Sequence, residues 1–285
     1  MQFTITLLLS AIPVFALCAY VYHEDRYEKE SILLLLLLFI LGMICAVCSA
    51  FVKNIGHFLL DKLFSNQMTI SFDEIIFSTP FAEYLYKSLL AFIVYAATDI
   101  ALAMIVLFAF TYKNKNFNSL FDGIVYVTYI IMGMTFVEIL LFGYNAGWSL
   151  IALKSLVIIP LRMIIGVLMG FQYSKFKIHH LIYNKEKSLN AAEKLHTISG
   201  FKKYKLLILM FFIPLLLIGA YEFSELVNTN GWRYLYYILL ACMYFYSTKK
   251  LSRVSDDDDL FVNIVRKSIL RKHSTLSAED YDQQQ

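Results

Sequence analysis

Apolar runs long enough to cross a lipid bilayer recur along the whole 285-residue chain. A membrane-spanning helix needs about 20 predominantly apolar residues, because each residue rises about 1.5 Å and the hydrocarbon core is about 30 Å thick. Seven runs meet or approach this length. They cover residues 3–22, 32–51, 85–110, 123–144, 148–173, 204–221 and 232–246. We therefore predict about seven membrane-spanning helices.

The composition fits a chain that lies mostly within the membrane. Hydrophobic residues make up 59% of the chain and charged residues 16%, whereas about a quarter of a soluble domain is charged. The predicted fold is all-α, a polytopic transmembrane helical bundle over residues 1–250, followed by a cytoplasmic polar tail over residues 251–285. The basic stretch of the tail is interpreted either as a helix on an anionic leaflet or as solvated chain.

Lysine and arginine residues are concentrated in alternate connections between the predicted spans. The connection after the third span contains Lys113 and Lys115, the 175–203 segment contains seven lysines, and the tail is also basic. The connection between the fourth and fifth spans contains neither lysine nor arginine. Because short basic connections stay in the cytoplasm, the N-terminus is predicted outside and the C-terminus inside.

Charged side chains within or at the edges of the predicted spans are candidate functional residues, because each costs about 2.5–3.5 kcal/mol to insert. They are Glu83, Lys87, Asp99, Asp122, Glu138, Lys154, Arg162 and Glu222. A rise of about 1.5 Å per residue places Glu138 about 24 Å from Asp122, in the outer half of the membrane, and Arg162 near the middle. These charges indicate either a functional site or a structural ion-pair cluster that ties helices together.

Several short motifs follow one another in a defined order. Residues 24–43 read EDRYEKESILLLLLLFILGM, with six consecutive leucines. Glu83 and Lys87 then frame an E-Y-L-Y-K segment. A D-G-I-V-Y sequence begins at Asp122, and Glu138 follows sixteen residues later.

Two further motifs complete the series. Lys154 precedes Arg162 by eight residues in the fifth run, and Ile218 begins an I-G-A-Y-E segment that ends at Glu222. In order and spacing, the whole series resembles the PrsW family of bacterial intramembrane metalloproteases. The resemblance implies a helical bundle related to the prenyl endopeptidases, placed in the bacterial cytoplasmic membrane. It also implies that Glu83 and Glu138 stand at catalytic positions, where working members use Glu and His side chains to hold a metal and activate water.

Four departures from the family pattern replace a Glu, an Asn or a His. Tyr84 replaces a second Glu, Ile139 replaces an Asn, and both Arg162 and Ile218 stand where the family has His. A hydrolytic zinc site needs about three protein ligands and an open position for water. Arginine has no lone pair to give and stays protonated in proteins. All six histidines also lie outside the predicted spans.

These departures predict that the metal centre has been lost, so we expect no metal cofactor. We expect an ion-pair network in its place, formed by Glu83, Lys87, Glu138, Lys154, Arg162 and Glu222. The expected function is that of a non-catalytic regulatory or protein-binding member of the family. The alternative is an active metalloprotease that uses zinc to cleave a membrane-anchored substrate such as an anti-sigma factor. Expected partners are membrane lipids and a membrane-anchored protein, and no nucleic-acid-binding motif is present.

Overall fold

The computed structural model describes residues 2–25, 29–71, 74–114, 117–145, 148–191, 201–227, 230–256 and 260–272. Its elements in chain order are α1 (Gln2–Glu24), α2 (Ile32–Phe64), β1 (Met68–Ser71), β2 (Glu74–Phe77), α3 (Pro80–Leu89), a π-helical segment (Leu90–Ala97), α4 (Thr98–Thr111), α5 (Leu120–Asn145), α6 (Trp148–Ala191), α7 (Phe201–Val227), α8 (Asn230–Asp256) and α9 (Phe261–Lys272). The predicted helical membrane fold is confirmed, with one short antiparallel hairpin added to it.

Five helices among the described residues are long and apolar enough to cross a membrane. One of them is the continuous helical run that begins with α3 and ends with α4. The other four are α2, α5, α6 and α7. The first and seventh predicted spans correspond to α1 and α8, which are helices of 23 and 27 residues but are not among these five. The protein is therefore an integral membrane protein, and the count of seven spans stays a prediction.

Helix α2 is longer than the span predicted from its sequence. The apolar run ends at Phe51, but the helix continues to Phe64 and contains 33 residues. At about 1.5 Å per residue it is about 50 Å long, which exceeds the hydrocarbon core of a bilayer. Exposed apolar side chains continue along the extension, including Ile55 and Phe58. Because the helix continues past Phe51, Lys53 is part of α2 and not of a connecting segment.

Helix α5 lies at the centre of the bundle and packs against α1, α2 and α6. Its contact with α2 is a backbone contact. A Cβ atom on Gly42 would lie 2.1 Å from the carbonyl oxygen of Ile130, and one on Gly133 would lie 2.1 Å from that of Phe39. Such close helix approach requires residues without a side chain at the crossing.

Two glycines of α6 make the same kind of contact with the other side of α5. A Cβ atom on Gly166 would lie 2.7 Å from the hydroxyl of Thr128, and one on Gly170 would lie 2.5 Å from the Cα of Ile124. Arg162 precedes Gly166 by four residues and therefore lies on the same side of α6. The close packing of α5 and α6 thus directs Arg162 toward α5.

The C-terminal part of the described chain folds back onto the bundle. Helix α8 continues past the predicted boundary at residue 250, with Leu251 buried, and α9 packs against α6. The buried face of α9 consists of Phe261, Val265 and Ile269. The ammonium of Lys272 lies 2.7 Å from a carboxylate oxygen of Glu186. The protein itself therefore covers the apolar face of α9. Residues 257–259 and 273–285 of the predicted tail lie outside the described residues.

The predicted orientation can be tested with reporter fusions. Fusions after Asn145, Lys187 and Asn230 and at the C-terminus should report outside, inside, outside and inside, because the lysine-rich connections stay in the cytoplasm. Paired alkaline phosphatase and fluorescent protein reporters would measure this. An external reporter after Lys187 would contradict the orientation.

Candidate functional site

Charged side chains from four helices meet inside the bundle. They are Lys53 of α2, Asp99 of α4, Glu138 of α5 and Arg162 of α6. One guanidinium nitrogen of Arg162, Nη2, donates to Asp99 Oδ2 over 2.9 Å and to Glu138 Oε2 over 2.7 Å. Arg162 is 5% exposed and Asp99 is 2% exposed. The structure thus brings Glu138 and Arg162 together and adds Asp99 as a second carboxylate.

Lys53 closes the network from the side of α2. Its ammonium lies 2.7 Å from Asp99 Oδ1 and 3.4 Å from Glu138 Oε1. The hydroxyl of Ser49, one turn earlier on α2, also donates to Asp99 Oδ1 over 2.5 Å. The formal charges of the two cations and two carboxylates sum to zero. Each carboxylate oxygen of Asp99 and Glu138 therefore has a cationic neighbour.

A cavity of about 330 Å³ opens beside the network, between α2, the π-helical segment, α5, α6 and α7. Its polar lining consists of Lys53, Tyr95, Glu138, Arg162, Tyr221 and Glu222. Its other walls are mostly apolar and include Leu141 of α5 and Ile218 of α7. Glu222 thus shares the cavity with the network, as expected from its place at the end of the sixth predicted span.

A histidine contributes to this region through a tyrosine of the π-helical segment. His57 lies one turn after Lys53 on α2, and its Nε2 atom is hydrogen-bonded to the hydroxyl of Tyr95. All six histidines were expected outside the predicted spans, but His57 lies within α2, and His179 and His180 lie within α6. The π-helical segment presents Tyr95 to the cavity and ends two residues before Asp99. Such segments often occur at functional sites.

Glu83 lies apart from the four-residue network, contrary to expectation. Its carboxylate pairs with Lys87 over 2.6 Å, and its side chain is 41% exposed. Glu83 precedes Asp99 by sixteen residues in one continuous helical run, which separates them by about 24 Å along the axis. This separation is too large for Arg162 to contact both. Lys154 lies in α6, and the structure describes its backbone but not its side chain.

The donor set of the network does not fit a catalytic zinc. Zinc would need carboxylate or histidine donors with free lone pairs and an open position for water. Here the carboxylates are bonded to Arg162 and Lys53, and both cations would repel a metal ion. Ile218 stands where the PrsW family pattern has its second histidine. Its side chain is buried and has no atom that could bind a metal ion. Among the described residues, no group of three or more His, Cys, Asp or Glu side chains is arranged to hold a metal.

Lys53 is a member of the site that the predicted spans leave out. It follows the apolar run 32–51 by two residues and therefore falls outside the second predicted span. A signal was nevertheless present, since Ile55, Phe58, Leu59 and Leu63 continue an apolar pattern at helical spacing. That pattern indicates that the helix continues through Lys53 instead of ending before it.

The coupling between Arg162 and Glu138 can be measured with a double-mutant cycle. Either Arg162→Leu or Glu138→Leu leaves one uncompensated charge in the bundle and should cost about 3–5 kcal/mol. The double variant keeps the neutral pair of Lys53 and Asp99, so it should recover much of that loss. Unfolding in detergent above pH 7 would measure the three stabilities.

The partly exposed pair of Glu83 and Lys87 provides the matched control for this cycle. Its single and double leucine variants should each change stability by about 0–1 kcal/mol, because ion pairs with access to water contribute little. Strictly additive losses for Arg162→Leu and Glu138→Leu would contradict the coupling.

Comparison with known proteins identifies the family of the chain. The sequence pattern of the PrsW family intramembrane metalloproteases matches residues 30–248. Protease PrsW of Bacillus subtilis (strain 168) is 24% identical over 241 residues, which cover 85% of this chain and 91% of that protein. Protease PrsW of Clostridioides difficile (strain 630) is 21% identical over 241 residues, covering 83% and 84%. No solved structure gives a significant match. The chain therefore belongs to the PrsW family of intramembrane metalloproteases.

Proposed function

We propose that this protein is a non-catalytic member of the PrsW family that binds a membrane-anchored protein and regulates it. It acts in the bacterial cytoplasmic membrane, with its N-terminus outside and its C-terminus in the cytoplasm. Membrane lipids are its other expected partners, and it uses no metal cofactor.

Arg162 supports the loss of catalysis most directly. Its guanidinium is bonded to both Asp99 and Glu138, so it occupies the space between two carboxylates with a fixed positive charge. A guanidinium does not deprotonate in proteins, so no change within the physiological pH range would free these carboxylates for a metal. It also cannot activate a water molecule as a zinc ion does.

The retained cavity supports a binding role. A non-catalytic descendant can lose its ligands and still keep the groove in which a substrate once lay. The cavity of about 330 Å³ combines apolar walls with a charged end. Leu141, on its wall, is 52% exposed, so the cavity is accessible to a segment that approaches through the membrane. Apolar walls with a few polar groups are typical of binding sites.

Metal analysis tests the proposed loss of catalysis. Detergent-purified protein should contain far less than one zinc per chain, because its carboxylates are bonded to cations. It should also show no metal-dependent cleavage of membrane-anchored test substrates. Elemental analysis by mass spectrometry would measure the zinc content.

The Arg162→His, Ile218→His double variant is the matched comparison, because it restores both histidines of the family pattern. An increase in zinc content would support the relation between this site and a metal centre. About one zinc per wild-type chain, lost together with cleavage activity in Glu138→Gln, would instead establish the active metalloprotease.

Site-specific photocrosslinking tests the binding role. A photoreactive residue at Leu141, on the cavity wall, should yield a discrete adduct with a membrane-anchored protein in cells. The same residue at Leu33 is the control, because that position is 79% exposed on the outer face of α2 and does not line the cavity. Mass spectrometry would identify the adducts. Equal protein adducts from the two positions would contradict cavity-specific binding.

A further inference from the structure

A second, positively charged cavity lies between α6 and α8. Its volume is about 690 Å³. The polar and aromatic side chains that line it are Phe171, Lys175, Tyr246, Lys249, Lys250 and Arg253. Four of these six residues carry a positive charge, and none carries a negative charge. The cavity therefore offers a concentrated positive potential to a ligand.

Two of the lysines share one aromatic ring. The ammonium of Lys175 lies 4.2 Å from the ring centroid of Phe171, and that of Lys250 lies 3.9 Å from the same centroid. Lys250 is also 5.6 Å from the ring of Tyr246. Cation–π contacts hold both ammonium groups in place, but they also hold two like charges near each other. A bound anion would remove this repulsion.

The four cations are not neutralised by other parts of the described chain. The ion pairs among the described residues include none of Lys175, Lys249, Lys250 and Arg253. By contrast, Lys53 and Arg162 in the first cavity each contact two carboxylates. The second cavity therefore has an unmatched positive charge.

In the predicted topology, this cavity lies at the membrane interface. Lys175 follows the end of the fifth predicted span by two residues, and Lys249 follows the end of the seventh by three. Tyr246 is 55% exposed beside the cations, as is common for tyrosine at the level of lipid headgroups.

Apolar side chains extend from the cavity along α8. Leu239 and Ile238 lie seven and eight residues before Tyr246, which places them on the same side of the helix, two turns away. Both are exposed. A ligand with a phosphate at one end and acyl chains at the other would match this surface along its length.

We propose that this cavity, lined by Lys175, Lys249, Lys250 and Arg253, is a binding site for the headgroup of an anionic phospholipid. The four cations contact the phosphate, and the acyl chains lie along the exposed apolar side of α8. Basic cavities between membrane helices bind anionic headgroups in this way. The bound lipid contacts both α6 and α8 and neutralises the positive charges that the two helices place in the cavity.

Native mass spectrometry of the detergent-solubilised full-length protein tests this site. Phosphatidylglycerol and phosphatidylcholine with identical acyl chains would be supplied in equal amounts. The wild-type protein should retain phosphatidylglycerol preferentially. Lys175→Gln combined with Lys250→Gln should lower that preference roughly 25-fold, because each charge near a headgroup contributes about a fivefold factor.

Two further variants separate charge from packing. Lys175→Arg with Lys250→Arg should keep the preference, since both charges remain. Arg253→Gln should lower it about fivefold, because it removes one charge from an exposed side chain without loss of buried packing. Lys187→Gln with Lys205→Gln is the matched control, because it removes two exposed lysines on the same predicted side and should leave the preference unchanged.

Three results would overturn the assignment. The first is an absence of preference for phosphatidylglycerol in the wild-type protein. The second is an equal loss of preference in the Lys187→Gln, Lys205→Gln control. The third is displacement of the lipid by equimolar sn-glycerol 3-phosphate, which would assign the cavity to a soluble phosphate compound. Failure of this test would leave the proposed loss of protease activity unaffected, because the two cavities share no lining residues.

Discussion

A buried arginine must be accompanied by carboxylates, and Arg162 determines much of the arrangement of this bundle. Its guanidinium cannot lose its proton, so the cost of removing it from water is offset only by close negative charges. Asp99 and Glu138 provide them from two other helices, and Lys53 balances the second carboxylate from a third. The four charges sum to zero, so this network adds no net charge to the interior of the bundle. The requirement for balance also fixes which faces of α2, α4, α5 and α6 point inward.

Backbone packing allows these charges to meet. Gly42 and Gly133 let α2 and α5 cross in contact, and Gly166 and Gly170 do the same for α5 and α6. The side chain of Arg162 can therefore reach Glu138, and that of Lys53 can approach it from the opposite side. A larger side chain at any of these crossings would move the helices apart, and charge–charge distances near 3 Å would lengthen with them. Glycine packing and charge pairing thus depend on each other.

The sequence predicted the helical membrane fold because a bilayer imposes a length and a hydrophobicity on every span. It also indicated Glu138 and Arg162, because a charge within an apolar run needs a partner. It could not indicate the register between helices. The family resemblance puts Glu83 at a catalytic position and hence in the expected network, yet Glu83 lies about four turns of helix away from Asp99. Lys53 was missed for a different reason, because a lysine just after an apolar run is ordinarily a sign that the span has ended.

Charge balance also explains why the proposed loss of catalysis is compatible with a folded bundle. A divalent metal would contribute a charge of +2 beside buried carboxylates, and Lys53 and Arg162 together contribute the same charge beside Asp99 and Glu138. The carboxylates therefore remain compensated, and the helices remain joined. What the two side chains cannot reproduce is an open coordination position, because an ammonium or guanidinium only donates hydrogen bonds. Charged side chains can thus replace the electrostatic role of a metal, but they cannot replace its activation of water. A site changed in this way would keep its structure and its cavity after it had lost its reaction.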